Sequence, residues 1–339
     1  MDPEAPAGDS ASQIYAGSRV CITGGAGFIG GWLAETLLDA GASVCVLDDL
    51  SSGNPDFIAA LVDSHPERCR FVHASVLDPR SLDDAMERAQ VVFHLAAIAS
   101  VSASMRDPER CLDVNVRGTV ETAQAARAAG ARRIVFASSS AVYGDAPPVP
   151  TREDHPCEPV SPYGGSKLAA EILLGVWARA FGLSSVSLRM FNVYGPRQPS
   201  ESEGDESAVV SAFAARIAAG RPPVIFGDGA QTRDFIHVRD AARAMRLAGS
   251  AEAPFRGDSF NIASGEAVTI TGLARLMADA AGARVDPEHG GPRAGDIRAS
   301  HADISRARAA LGFAPTVGLL EGLRDLVGGS GSAGRRASA

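Results

Sequence analysis

Two side chains stand at a spacing that can take a proton from an alcohol. Tyr163 and Lys167 lie four residues apart in SPYGGSK (Ser161 to Lys167), so on a helix they share one face. A phenol titrates near pH ~10 and is a poor base at neutral pH. A nearby ammonium, or a positively charged ring, favours the phenolate and turns it into a base. Upstream, FASSSAVYG (Phe136 to Gly144) offers a row of hydroxyls that can orient a substrate oxygen. Each motif is common by itself. A YxxxK pair also occurs on solvated helix faces, and serine clusters also cap helices.

A second constellation suits a phosphate. TGGAGFIG (Thr23 to Gly30) places Gly24, Gly27 and Gly30 at GxxGxxG spacing, and Gly25, Gly27 and Gly30 at GxGxxG spacing. A Cβ there would block the tight turn and the close approach of backbone to a pyrophosphate. The last glycine lets the following helix pack on the sheet, and that helix's first N–H groups face the phosphates. Asp48 ends the next apolar run. Its carboxylate suits the ribose hydroxyls of an adenosine and repels a 2′-phosphate, so NAD is favoured over NADP. Asp49 is the neighbouring candidate, and Asp48 is preferred because it closes the run.

The elements that must carry these residues are legible as alternation. Strands are expected at Arg19 to Thr23, Ser43 to Leu47, Arg70 to Ala74, Val91 to Leu95, Arg133 to Ala137 and Val186 to Met190. Helices are expected after the glycine turn, near Pro108 to Ala129, and over Pro162 to Phe181. Strand–helix alternation predicts an α/β fold, a Rossmann-type doubly wound parallel sheet. Past Gly195 the pattern loosens and glycine and proline thicken. The expected organisation is a structureless tail over 1–17, a dinucleotide-binding domain over 18–195 carrying the catalytic residues, a smaller, partly interleaved C-terminal substrate-binding domain over 196–327, and a structureless tail over 328–339.

Bulk properties exclude several function classes. The chain has 339 residues, 45% of them hydrophobic, with 40 acidic against 32 basic residues. A net charge of −8 disfavours a nucleic-acid binder. No apolar run is long enough to span a bilayer, and the N-terminus lacks the basic start and apolar core of a signal peptide, so no membrane partner and a cytoplasmic location are expected. Five scattered cysteines, Cys21, Cys45, Cys69, Cys111 and Cys157, form no CxxC pair and read as reduced thiols, with no metal site expected.

With these motifs in hand, the sequence resembles the extended short-chain dehydrogenase/reductase family, in its NAD-dependent sugar-nucleotide epimerase/dehydratase branch. HLAA (His94 to Ala97), SSSAVYG, SPYGGSK, RMFNVYGPRQ (Arg189 to Gln198), GDGAQTRDFIHVRD (Gly227 to Asp240), NIASGE (Asn261 to Glu266) and HADISRA (His301 to Ala307) carry the likeness in family order from about Arg19 to Leu326. The resemblance implies a catalytic set of Ser139, Tyr163 and Lys167, with Ser138 and Ser140 as neighbours of the serine. It implies cofactor contacts from Gly24, Gly27, Phe28, Ile29, Gly30, Asp48, Ser75, Val76, Leu95, Ala96 and Ala97, besides Tyr163 and Lys167. It implies that Asn192, Arg233 and Arg293 hold the substrate diphosphate, an arginine's planar fork suiting paired phosphate contacts. His94 is assigned no chemistry. A homodimer built on the helices near Pro108 to Ala129 and Pro162 to Phe181 is also implied.

The shared first step of that branch moves a hydride from sugar C4 to NAD. The dehydratases then resemble one another in an Asp-Glu pair after the catalytic hydroxyl, and the decarboxylases carry a Glu nearby. Here Ser140 and Ala141 stand at those two positions and cannot act as acid or base. The expected activity is therefore 4-epimerisation of a nucleotide sugar, with UDP as the expected nucleotide, a dehydratase, decarboxylase or reductase as the alternative and a non-catalytic NAD-binding regulator as the other class. Ser300, seven residues after the arginine of RAGD, is small where the resemblance places a wall beside the sugar's 2-substituent. That size admits N-acetylhexosamines as well as hexoses, and a hexuronate stays open. Two positions depart from the family pattern. Ala74-Ser75 replaces Gly-Asp after the third strand, and Ala99 stands where relatives carry Lys or Gln. The acidic stretch Pro199 to Ser207 is expected to form a mobile loop near the substrate mouth.

Overall fold

The computed structural model describes residues 14–145, 147–199, 209–283, 286–292 and 297–333. Seven strands form one parallel sheet: β1 (Arg19–Thr23), β2 (Ser43–Asp48), β3 (Cys69–His73), β4 (Val91–His94), β5 (Arg133–Ser139), β6 (Ser184–Met190) and β7 (Arg256–Ile262). Their order is β7-β6-β5-β4-β1-β2-β3, every neighbour parallel. The order reverses between β1 and β4. Chain leaving these two strands must diverge to opposite sides, which opens a crevice at their carboxyl ends. The glycine turn leaves β1 and the segment from Leu95 leaves β4, so both border that crevice.

Alternation along the strands feeds two cores. Val20 and Ile22 of β1 lie in a cluster with Leu33 and Leu37 of helix α1 (Phe28–Asp39) and with Ala241 and Met245 of the later helix Val238–Ser250. Cys21, between them, belongs to the opposite cluster with Val92, Ile134 and Phe136. Helices α2 (Pro55–Ser64) and α3 (Pro79–Ala85) each start on a proline, with Asn54 or Asp78 accepting a first-turn amide hydrogen bond as N-cap.

Tyr15 lies inside the segment expected to be structureless, and there the expectation is corrected. Its ring is 1% exposed and its hydroxyl donates to the Arg246 carbonyl at 2.8 Å, filling the gap between the start of β1 and helix Val238–Ser250. The C-terminal tail is corrected in the same sense: the last helix, Leu319–Ala333, anchored by the buried Leu323, continues past residue 328.

The helix expected near Pro108 to Ala129 is in fact three pieces. Helix α4 (Val101–Arg106) precedes α5 (Pro108–Leu112), a π-helical turn (Asp113–Arg117) and α6 (Gly118–Ala128). The wide turn has a cause. Asn115, 2% exposed, accepts from the Ile98 N–H at 2.8 Å, donates to the Ile98 carbonyl at 3.1 Å, and donates to Ser166 Oγ at 2.9 Å. Helix α7 (Pro162–Phe181) forms as the sequence predicts, with Ser161 accepting from the Gly164 N–H and Gly182 in the left-handed conformation at its end.

Beyond Gly195 the chain builds a third cluster around Tyr194, Phe213, Ile225, Leu273, Met277 and Leu323. Three two-stranded ladders frame it, one joining Val193–Tyr194 to Ile236–His237. Residues 238–262 leave this region and return to the main sheet as a helix and β7.

Candidate active site

The glycine turn has the shape a pyrophosphate needs. Gly24 stands at φ 71°, and a Cβ on it would lie 2.5 Å from the Ala96 nitrogen. A Cβ on Gly30 would lie 2.3 Å from the Gly24 carbonyl oxygen. Gly27 is the N-cap of α1 and makes no side-chain cap. The first helical bond runs from Gly31 N–H to the Gly27 carbonyl at 2.9 Å, so the amides of Phe28, Ile29 and Gly30 precede the ladder and stand ready for an anion. The donor set therefore fits the diphosphate of a dinucleotide.

Asp48 is placed beside this turn, and its carboxylate also organises it. Oδ2 accepts from the Ala26 N–H at 3.0 Å and Oδ1 from the Leu50 N–H at 2.8 Å. Burial raises its pKa, and these two amide bonds oppose the rise. One lone pair remains on each oxygen for ribose hydroxyls. Asp49, the other candidate, is exposed, and its carboxylate accepts from the Ser51 N–H. On the far side, Leu95 donates to the Thr23 carbonyl, which holds Ala96 against Gly24. Ala97 follows in the same half-buried segment. Ser75 Oγ accepts from the Leu77 N–H, and Val76 is buried against Gly118.

The catalytic candidates converge at the carboxyl end of β5. Ser139 ends that strand and caps a short 3-10 turn, Ser140–Tyr143, by accepting from the Ala141 N–H at 3.2 Å. A Cβ on Gly164 would lie 2.5 Å from the Ala141 carbonyl, so the first turn of α7 packs directly on the serine turn. Tyr163 is half-buried and its N–H donates to Ser104 Oγ at 3.1 Å. Lys167 is 3% exposed; its Nζ donates to the Ala137 carbonyl at 2.8 Å and lies 5.9 Å from the Tyr163 ring centre. Burial holds the Lys167 pKa down to about 8, while Cys111 and Glu171 pull it up. An ammonium beside the phenol ring, on a helix packed against the serine turn, is an arrangement able to deprotonate an alcohol.

Of the residues expected to hold a substrate, Asn192 donates to the Asp234 carbonyl at 2.8 Å. Arg233 is buried, and its Nη1 donates to the carbonyls of Thr232 and Ile297. Ser300 donates its N–H to the Thr232 carbonyl at 3.1 Å, so it stands on the same wall. Arg293 and most of the acidic stretch, 200–207, lie outside the described residues.

Sequence reasoning missed three supports. Asn115 ties Ile98 to Ser166, whose hydroxyl donates to the Tyr163 carbonyl at 2.7 Å. An amide inside an otherwise Ala-rich helical stretch was its one visible sign. Glu171, a turn beyond Lys167, accepts from Ser138 and from Arg189 Nε and Nη2, and Arg189 Nη1 donates to Tyr143 Oη. Asp234 accepts from the N–H groups of Ser264, Gly265 and Ala302, tying those segments to the strand that carries Arg233.

His94 is fully buried between Thr23 and Thr119, at 2.7 and 2.9 Å from their hydroxyls. Burial first, then the Lys167 charge, drives its pKa down to about 3. The folded protein keeps this imidazole neutral where the unfolded chain takes up a proton at about pH 6.5. Stability contributed by the neutral ring is thus present above about pH 6.5 and is lost as pH falls towards the folded pKa. The expected slope is about 1.4 kcal/mol per pH unit for each such histidine. Burial lowers His237 as well, so the check is a difference. Urea unfolding of His94→Gln between pH 6.5 and 5 should show about one proton's less dependence than the parent; equal slopes would refute it.

Comparison with known proteins agrees with this geometry. The model of the NAD dependent epimerase/dehydratase family matches residues 20–263. A UDP-glucose 4-epimerase of Mycolicibacterium smegmatis is 41% identical over 311 residues, covering 91% of this chain and 97% of the relative. The solved UDP-N-acetylglucosamine 4-epimerase of Methanobrevibacter ruminantium, in complex with UDP-N-acetylmuramic acid, superposes with a TM-score of 0.88 at 34% identity, covering 94% of this chain and 99% of that one. The UDP-glucose 4-epimerase of Thermotoga maritima, solved with UDP-glucose, gives 0.85 at 35% identity, covering 93% and 99%. With a glycine cradle at the sheet's switch point and a matched model spanning most of its length, the chain belongs to the NAD-dependent epimerase/dehydratase family.

Proposed function

We propose that the protein is an NAD-dependent nucleotide-sugar 4-epimerase acting on a UDP-linked hexose, N-acetylhexosamine or hexuronate. The observation that carries the reading is the buried Lys167 ammonium fixed between the Ala137 carbonyl and the Tyr163 ring. When bound, NAD would supply the hydride acceptor for sugar C4 and the donor that restores the hydride to it. Tyr163 takes the proton from the C4 hydroxyl, its phenolate favoured by Lys167. Ser139 accepts from Ala141, which leaves its own O–H to donate to the sugar oxygen. The same phenol returns the proton, so the protein ends each turnover as it began. Gly24, Gly27, Phe28, Ile29, Gly30, Asp48, Ser75, Val76, Leu95, Ala96 and Ala97 would line the cofactor, and Asn192, Arg233 and Arg293 would hold the diphosphate.

The absence of an acid or base at Ser140 and Ala141 favours epimerisation over loss of water or carbon dioxide. Relatives and structural neighbours named as UDP-sugar 4-epimerases support the same choice. Among the neighbours is also a dTDP-glucose 4,6-dehydratase from Streptomyces venezuelae, at 30% identity, which keeps the alternative in the test. Incubation with UDP-glucose, UDP-N-acetylglucosamine and UDP-glucuronate, followed by NMR, should yield the C4-inverted sugar from at least one. A dehydrated or decarboxylated product in its place would overturn the proposal.

The domain division at about residue 195, the cytoplasmic location and the homodimer belong to the same reading. No helix among the described residues is long and apolar enough to cross a membrane. Leu112, Ile172, Val176 and Phe181 are exposed on the helices expected to pair, Ile172 at 59%, and Met105 is exposed on α4 just before the first of them. Such a face is what a second subunit would cover. Light scattering should return twice the chain mass of 34.9 kDa.

A further inference from the structure

We propose that Arg197 is a positioning residue that clasps the substrate loop to the dinucleotide helix, so that the glycine cradle and Asn192 move as one body. Its catalytic consequence rests on the epimerase reading; the coupling itself does not. Three contacts hold Arg197. Its guanidinium carbon lies 4.0 Å from the ring centre of Trp32 and 4.5 Å from that of Phe57. Its Nη2 meets both carboxylate oxygens of Glu35, at 3.0 and 2.8 Å. The residue before it is also fixed: Trp32 Nε1–H donates to the Pro196 carbonyl at 3.2 Å.

Trp32 and Glu35 belong to α1, and Phe57 to α2. Gly27 of the cradle is the N-cap of α1, so the clasp grips the same rigid rod that presents the cradle. The other end of the loop is Asn192, whose side chain donates to Asp234 and whose carbonyl accepts from Ile236. Only a handful of residues separate the two attachments, too few to absorb an independent movement of either end.

A single exposed ion pair contributes little. Arg197 is different because its backbone is left-handed at φ 72°, a conformation disfavoured for a residue with a Cβ. Such a conformation persists where the surroundings over-determine it, and such residues cluster at clamps and switch regions. The planar guanidinium stacks on two rings while pairing with a carboxylate, which a lysine ammonium cannot reproduce. The side chain is thus chosen for geometry as well as charge.

Hydrogen exchange on the full chain, with and without NAD, tests the coupling. In the parent protein NAD should slow exchange at the amides of α1's first turn and also at those of 192–198, by about tenfold or more. In Arg197→Ala the slowing at α1 should remain and that at 192–198 should vanish. Arg197→Lys should fall between, since it keeps the charge for Glu35 and loses the stack. In turnover, Arg197→Ala should raise KM for the UDP-sugar about tenfold while bound NAD is unchanged. Equal loop protection in parent and Arg197→Ala, or none in the parent, would overturn the proposal. Failure of the parent to convert any UDP-sugar would instead strike the epimerase reading and leave the exchange result to stand.

Discussion

Tyr163→Phe is expected to lower kcat by about 10²–10⁴-fold while NAD stays bound, because it deletes only the atom that receives the substrate proton. That loss corresponds to roughly 3–5 kcal/mol of barrier. The fold should survive the change. The Tyr163 backbone N–H keeps its bond to Ser104, and Lys167 keeps its bond to the Ala137 carbonyl. Phenylalanine also preserves the ring beside which the ammonium lies. The measurement is a rate of C4 inversion on a UDP-sugar, alongside the NAD content of the purified variant and its circular dichroism. A variant with parental turnover would remove Tyr163 from the chemistry. A variant without NAD would show that the phenol serves binding instead.

Arg189→Met is expected to cost about 3–5 kcal/mol of unfolding free energy. Arg189 and Glu171 face each other at 2.8 Å with side chains only 7% and 6% exposed. Burial by itself would lower the guanidinium's pKa, but the hydrogen bonds and charge of Glu171, helped by Tyr143, raise it instead. Removing the guanidinium leaves a buried carboxylate that, among the described residues, keeps side-chain hydrogen bonds from Ser138 and Ser259. The double variant Arg189→Met/Glu171→Met should lose less than the single one, because it strands no charge. Urea denaturation of the three proteins measures this directly. A single-variant loss below about 1 kcal/mol would mean that the pair is far better solvated than its burial indicates.

Tyr163 and Arg189 differ in how far the sequence reveals them. Tyr163 and Lys167 are legible because they act from one helix, where a spacing of four fixes their common face. The glycine turn is legible because it lies within eight residues of continuous chain between a strand and a helix. Local rules of this kind carried the six strands from β1 to β6, the helix α7 and the α/β class. They gave no sign of β7, whose seven residues read ambiguously alone and become a strand by pairing with β6. They also ran one helix through Asp113–Arg117, where Asn115 instead forces a wide turn by bonding to Ile98 and Ser166.

Glu171 and Arg189 stand 18 residues apart on a helix and a strand, and Arg197 lies 162 residues from Glu35. No periodicity relates such positions. The amino-acid sequence by itself determined what is written in short spacings: the cradle, the phenol with its lysine, and the alternation that makes a parallel sheet. Only the tertiary structure decided which charges are buried together, where Tyr15 packs, and how the loop bearing Asn192 is tied to α1. The reason is physical. Backbone geometry repeats over a few residues and leaves its period in the chain, whereas a buried polar group is satisfied by whatever partner the folded sheet and helices bring within about 3 Å.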